Sequence, residues 1–274
     1  MSHPLLSIVI PAYNEAKAIQ AGCLTNIIDY ILRAPWWVDA IVVDDGSQDG
    51  TAELAACYLG ELGRVKTIPH GGKAAALATG ILEARGDIVL TTDMDQATPI
   101  YEVDKLLAYF EAGWDIVVGS RGNARPGAPL ARRILSLGQV IMRNLLLGLD
   151  LTDTQCGFKC YDRRAAVDVL HRLVVYAPDR LPYITGPSVT SGFDVEFLFV
   201  AERLGYTIAE APVIWRHRNS SRVHPVRDAV AGLADLLKIS AENFAGHYPK
   251  SKISLENRIL SQKKEAQNSG HPIS

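Results

Sequence analysis

The segment DIVLTTDMDQATP, residues 87–99, carries the densest chemistry in the chain. An apolar run, Ile88-Val89-Leu90, ends in two threonines, and two aspartates follow one residue apart, Asp93 and Asp95. Carboxylates so placed repel unless a cation stands between them. At the end of a buried strand they suit a hard divalent cation with oxygen ligands. Mg2+ or Mn2+ keeps waters there and is shared with substrate phosphates. Such a metal stabilises the charge that grows on a diphosphate leaving group as its bond to carbon breaks. The competing reading is a pair of turn-forming loop aspartates.

Two further clusters accompany this one. Asp44-Asp45-Gly46-Ser47 closes another apolar run. A carboxylate there could accept from a uracil imide N–H or a ribose hydroxyl; Ser47 or Asp49 as a helix N-cap explains the same residues equally well. Gly71-Gly72-Lys73 opens a helical pattern. Glycines let backbone approach a phosphate, and a helix N-terminus favours an anion. The GxxxxGK[ST] spacing of a P-loop is absent.

The elements that must position these residues alternate. Apolar runs at 5–10, 39–43, 64–69, 88–91 and 115–121 alternate with helical patterns at about 15–32, 49–60, 72–86 and 101–112. That order predicts βαβ units and a doubly wound, mostly parallel α/β sheet, with ligands beyond the carboxyl ends of the strands. Residues 128–149 predict one long helix with Arg132, Ser136, Gln139 and Arg143 on a narrow polar stripe, and Ile134, Leu137, Ile141, Leu145 and Leu149 opposite. Beyond it come a helix after Arg163, a buried helix at 193–205, a strand at 206–218 and an amphipathic helix at about 226–244. The pattern predicts one domain over 1–249, with a doubly wound half at 5–125 and a second half of different character at 126–249. A mobile polar tail is expected over 250–274.

The chain has 274 residues, 48% of them apolar, and a formal net charge of −2. A sizeable core is affordable, and no basic field for nucleic acid is present. The four cysteines lack paired CxxC spacing, which predicts a reduced, cytoplasmic protein. No window reaches about 18 uninterrupted apolar residues, so no membrane span is expected.

Taken together, LSIVIPAYNEAKAI, IVVDDGSQDGT, GGKAAALATGILEARGDIVLTTDMD, VVGSR, DTQCGFKCY and GFDVEFLFVAERLGYTIAEAPVIW followed by SSRV resemble family-two glycosyltransferases of the GT-A fold. Within these the chain is most similar to the branch that glucosylates or mannosylates dolichyl and polyprenyl phosphates. The resemblance spans roughly residues 5–225.

It implies roles residue by residue. Pro11, Tyr13 and Glu15 would line the nucleotide, Asp45 would contact base or ribose, and Lys73 would lie nearby. Asp93 and Asp95 would hold metal and donor diphosphate, with Gln96 near the sugar. Arg121, Ser220, Ser221 and Arg222 would close on phosphates. Asp153, Gln155 and Lys159 would face the acceptor. The branch inverts at the anomeric carbon. A phosphate acceptor is already anionic, so it needs cations that hold it in line more than a strong base; Lys159, Arg121 and Arg132 are the candidates. The sequence departs from the pattern at His70-Gly71-Gly72-Lys73-Ala74 and at Ala78, on the nucleotide side. It departs again at Gln96-Ala97, by the donor sugar.

Other residues carry two readings each. His217 is a metal or diphosphate contact, or a surface histidine. Asp194 and Glu196 are first-turn acids of a helix, or they hold the acceptor loop by pairing with Lys159 or Arg121. The 128–149 helix packs on the core or a second copy, or lies in a membrane interface; the last helix supports it or caps the sheet. The function expected is metal-dependent transfer of glucose from UDP-glucose to a polyprenyl phosphate, peripheral at the cytoplasmic membrane face. GDP-mannose as donor, a non-lipid acceptor and a non-catalytic nucleotide-sugar binder are the alternatives. Assembly into an oligomer is compatible with all of them.

Overall fold

The computed structural model describes residues 5–121, 130–181, 191–216 and 225–250. The expected apolar runs form β1 (Leu6–Ala12), β2 (Val38–Asp44), β3 (Gly63–Thr67), β4 (Ile88–Thr91), β5 (Ile116–Ser120) and β7 (Ile208–Pro212), and the TDTQCGFKCY segment leads into a further strand, β6 (Lys159–Asp162). They make one sheet in the order β3-β2-β1-β4-β6-β5-β7. Among the described residues only β6 runs against its neighbours, pairing antiparallel with β4 and β5; the other pairings are parallel. The chain winds outward from β1 in one direction and from β4 in the other. Their carboxyl ends therefore flank a switch point, where open α/β sheets place ligands.

Alternation along the strands feeds two cores. Val9, Ile41, Val43 and Val89 face one side of the sheet. There they meet α4 (Gly72–Glu83), α7 (Arg163–Leu170) and α8 (Ser191–Leu204). Ile8, Ile10, Ala40, Val42 and Leu90 face the other. That side is covered by α1 (Ala16–Gln20), α2 (Cys23–Arg33), α3 (Thr51–Leu59) and α5 (Val103–Glu111). Runs buried on both faces are what parallel strands require.

Two expectations need correction. The helix expected over 15–32 is two helices, α1 and α2. Gly22 takes φ +89° between them, a conformation that suits glycine and ends helical winding. The second concerns α6 (Leu130–Leu147). The wheel sets Arg143 on an outward polar stripe, but Arg143 is only 6% exposed, while Ile141 and Leu145 are 49% and 75% exposed. Met142, Leu146 and Leu147 pack inward instead. The reason is the loop that follows α6, which offers oxygen acceptors to the guanidinium and so satisfies a buried charge. Helix α9 (Pro225–Phe244) has two apolar faces. Leu236 and Ile239 are buried, whereas Val230, Leu233, Leu237 and Phe244 form an exposed stripe.

Candidate active site

The loops at the carboxyl ends of β1 and β2 are stitched together. Asn14 N donates to Ser47 Oγ at 2.8 Å, Glu15 N to Thr51 Oγ1 at 2.8 Å, and Ala16 N to Asp49 Oδ2 at 3.1 Å. Ser47 and Asp49 thus serve the start of α1. The N-cap position of α3 is Gly50, but Asp49 also serves that helix, its Oδ1 accepting from Thr51 N at 3.1 Å. Asn14 itself sits at φ +53°. Pro11, in β1, and Tyr13 and Glu15, just beyond it, are half-buried along this edge.

Asp45, expected at the base or ribose, is engaged within the chain. Its carboxylate accepts from Gly71 N at 2.8 Å, Gly72 N at 2.9 Å and His70 Nδ1 at 2.8 Å. It therefore already fills the anion position at the N-terminus of α4. His70 in turn stacks on Tyr13, with ring centroids 4.1 Å apart. The neighbouring aspartate is the one with spare capacity. Asp44 is 1% exposed, accepts from Ser47 N through Oδ2, and its buried Oδ1 has no hydrogen-bond partner among the described residues. A buried carboxylate oxygen left unpaired is costly and awaits a donor. The sequence signalled the pair Asp44-Asp45 but not which member faces inward unsatisfied.

At the end of β4 the first aspartate has its counter-charge within the chain. Asp93 pairs with the Lys73 ammonium. Burial disfavours both charges, yet attraction outweighs it. Lys73, Lys159 and Arg121 hold Asp93 below its ordinary value, and Asp93 with Asp194 holds Lys73 above its own. Asp95 turns back to accept from Ala97 N at 2.9 Å. Gln96 follows at φ +50°, 3% exposed, with its amide donating to Thr92 Oγ1 and Asp93 O. Its Oε1 is buried without a partner among the described residues. A left-handed backbone and an orphaned acceptor thus coincide at one residue beside two carboxylates.

The acceptor-side residues also fall close by. Arg121, just beyond β5, grips Asp153 bidentately, Nε to Oδ2 at 2.7 Å and Nη2 to Oδ1 at 2.6 Å, and its backbone N adds a third bond. Gln155 is exposed on the same loop. Lys159 was expected to face the acceptor, but it is 1% exposed, donating to Cys156 O and, at 2.7 Å, to Asp194 Oδ1. It is a buried cation beneath the site, because β6 directs it into the sheet's interior where only a paired charge is tolerated. Both readings for Asp194 hold: it is a first-turn acid of α8 and it pairs with Lys159. Glu196 accepts instead from the backbone N–H groups of Val174, Val175 and Tyr176 and from the Tyr248 hydroxyl. His217, Ser220, Ser221, Arg222 and the 250–274 tail beyond Lys250 lie outside the described residues, as does the side chain of Arg132.

Asp93 and Asp95 offer the oxygen donors that Mg2+ or Mn2+ takes, and such ions take one or two carboxylates and complete their shell from phosphates and water. Among the described residues no third His, Cys, Asp or Glu joins them as a ready-made cage. The donor set fits a cation shared with a diphosphate better than one held by protein alone.

A mostly parallel sheet with this charged cluster at its switch point is the GT-A glycosyltransferase architecture. The chain belongs to glycosyl transferase family 2, whose model matches residues 7–170. It is similar to the dolichyl-phosphate beta-glucosyltransferases of Drosophila melanogaster (32% identical, covering 80% of this chain and 69% of that one) and Homo sapiens (30%, covering 88% and 76%). Among solved structures it resembles mannosyl-3-phosphoglycerate synthase from Rubrobacter xylanophilus, with TM-score 0.57, 19% identity and coverage of 92% and 78%. A mannosyltransferase from Pyrobaculum calidifontis in complex with GDP-Man and Mn2+ has TM-score 0.51, 18% identity and coverage of 98% and 81%. At these identities the solved structures speak to the fold.

Proposed function

We propose that the chain transfers glucose from UDP-glucose to a polyprenyl phosphate with inversion, assisted by Mg2+ or Mn2+. The observation that carries this reading is the convergence of Asp93, Asp95 and Lys73 with the Arg121–Asp153 pair at one switch point. Relatives about 30% identical over most of the chain, among them the dolichyl-phosphate beta-glucosyltransferases of Drosophila melanogaster and Homo sapiens, support the choice of sugar and acceptor.

An acceptor phosphate oxygen attacks the anomeric carbon from the face opposite the leaving group. The bond from that carbon to the donor's diphosphate oxygen breaks, and UDP departs with the electron pair. A bound divalent cation, held by Asp93 and Asp95, would supply charge stabilisation on that diphosphate. Lys73 adds a positive charge on the same side. Arg121, its guanidinium fixed in plane by Asp153 and 5.8 Å from the Trp215 ring centroid, presents its remaining donors to an acceptor phosphate. Asp44 Oδ1 accepts from the imide N–H of the base.

The lipid end of the acceptor needs a surface. No helix among the described residues is long and apolar enough to cross a membrane. The exposed stripe of α9, spaced three, four and seven residues apart, and the outward Ile141 and Leu145 of α6 supply an apolar face instead. The two helices pack against each other. Calorimetry with UDP and GDP, each with and without Mn2+, tests the donor: metal-dependent UDP binding is expected, and preferential GDP binding would move the sugar to mannose. Flotation with vesicles tests the acceptor class, and a protein that stays in solution would favour a non-lipid acceptor.

A further inference from the structure

We infer that Arg143 is a positioning residue that couples the seating of α6 on a lipid surface to the Asp153–Arg121 pair. The inference rests on the lipid-phosphate reading above and extends it to how the acceptor side is organised.

A mid-helix arginine gains nothing from burial by itself, since desolvation disfavours its charge. Arg143 is nonetheless 6% exposed. Its guanidinium donates from Nη1 to Thr154 Oγ1 at 2.8 Å and from Nη2 to Leu151 O. Its Nε is buried with no partner among the described residues. The retained charge faces Glu210, Asp153 and Asp150, which offset the desolvation in part.

These bonds converge on one short loop. Arg143 holds it at Leu151 and Thr154. From the other side Glu210 of β7 accepts from Thr152 N, Thr152 Oγ1 and Asp153 N. The residue bracketed between the two grips is Asp153, and Asp153 is what fixes Arg121. The outer side of the same two turns of α6 carries Ile141 and Leu145, two residues before and two after Arg143. At 100° per residue those positions lie away from Arg143. One helix thus has an apolar side suited to lipid and an inward arginine gripping the loop that orients Arg121. Movement of α6 on docking is carried to Asp153 through two hydrogen bonds.

The test uses the full chain with vesicles of phosphatidylcholine and phosphatidylglycerol, which need no acceptor. Amide hydrogen exchange is followed at Thr152 and Asp153. In the wild type, vesicles should slow exchange there. In Arg143→Met they should bind equally well, yet leave that exchange unchanged. Arg143→Lys keeps the charge without the two-pronged grip and should show an intermediate effect. In a transfer assay Arg143→Met should raise the KM for polyprenyl phosphate by about tenfold, the order expected for a lost charged hydrogen bond, with UDP affinity unchanged. Wild-type exchange unaffected by bound vesicles would overturn the coupling, as would an Arg143→Met response equal to the wild type. Coupling retained in a protein that transfers no hexose would instead count against the proposed function alone.

Discussion

Gly157 lies directly against the carboxylate of Asp93. A Cβ built on Gly157 would overlap Asp93 Oδ2 and approach Cγ to 2.8 Å. The loop before β6 therefore sets the orientation of the first aspartate after β4, and it does so by having no side chain. Gly157→Ala should force Asp93 off Lys73. Misplacement of about 1 Å in such a group costs on the order of 10²-fold in rate. Steady-state kinetics should show that loss of kcat, and thermal unfolding should show little change. A variant with full activity would mean that Asp93 has no oriented role.

Asp95→Asn should abolish metal-dependent transfer and leave the fold intact, because the amide oxygen can still accept from Ala97 N. Activity titrated against Mn2+, with circular dichroism alongside, checks this. Undiminished activity in the variant, or in excess chelator, would remove the metal role.

Asp44→Asn is expected to act in opposite senses on stability and binding. It removes a buried charge whose Oδ1 is unpaired, so chemical denaturation should show equal or greater stability. In the proposed complex it replaces the acceptor for the base with an amide donor, so UDP should bind about tenfold more weakly. Unchanged UDP affinity in calorimetry would take the base contact away from Asp44.

The Asp93–Lys73 pair gives a signed pH dependence. Asp93 titrates below its ordinary 3.8 in the folded chain. Its contribution is therefore present above that value and lost as pH falls through the lower folded value. Lys73 titrates above its ordinary 10.5, so its contribution is present below that value and lost as pH rises through the higher one. The pair is intact across neutral pH. With side chains 32% and 41% exposed, solvent screening limits it to about 1 kcal/mol or less. Urea unfolding should show Lys73→Met less stable than wild type at neutral pH, with the gap closing in acid. A gap of the same size in acid would show that the pair contributes no pH-dependent stability.

Leu237→Glu combined with Phe244→Glu puts two charges in the exposed stripe of α9. Vesicle flotation should fall sharply while UDP affinity holds, since neither residue belongs to the nucleotide side. Retained flotation would place the lipid contact elsewhere.

The alternation of apolar runs and helical patterns made the sheet legible, and the strand-end clusters pointed to the right edge of it. The strand order, with β6 inserted antiparallel between β4 and β5, carries no local signal, because register depends on partners far apart in sequence. The same limit explains Arg143 and Lys159. A helical wheel shows which residues share a face but not which face turns inward, and an acceptor such as Leu151 O is backbone, invisible to residue type. The engagement of Asp45 with Gly71 and Gly72 was likewise hidden, because it depends on how two loops meet.

The most direct measurement is transfer itself. The protein is incubated with labelled UDP-glucose or GDP-mannose, Mn2+ and a polyprenyl phosphate in vesicles, and label is followed into the organic phase. A β-linked glucosyl lipid is expected from UDP-glucose, abolished in Asp95→Asn. No lipid product from either donor, in a protein that binds UDP, would contradict it.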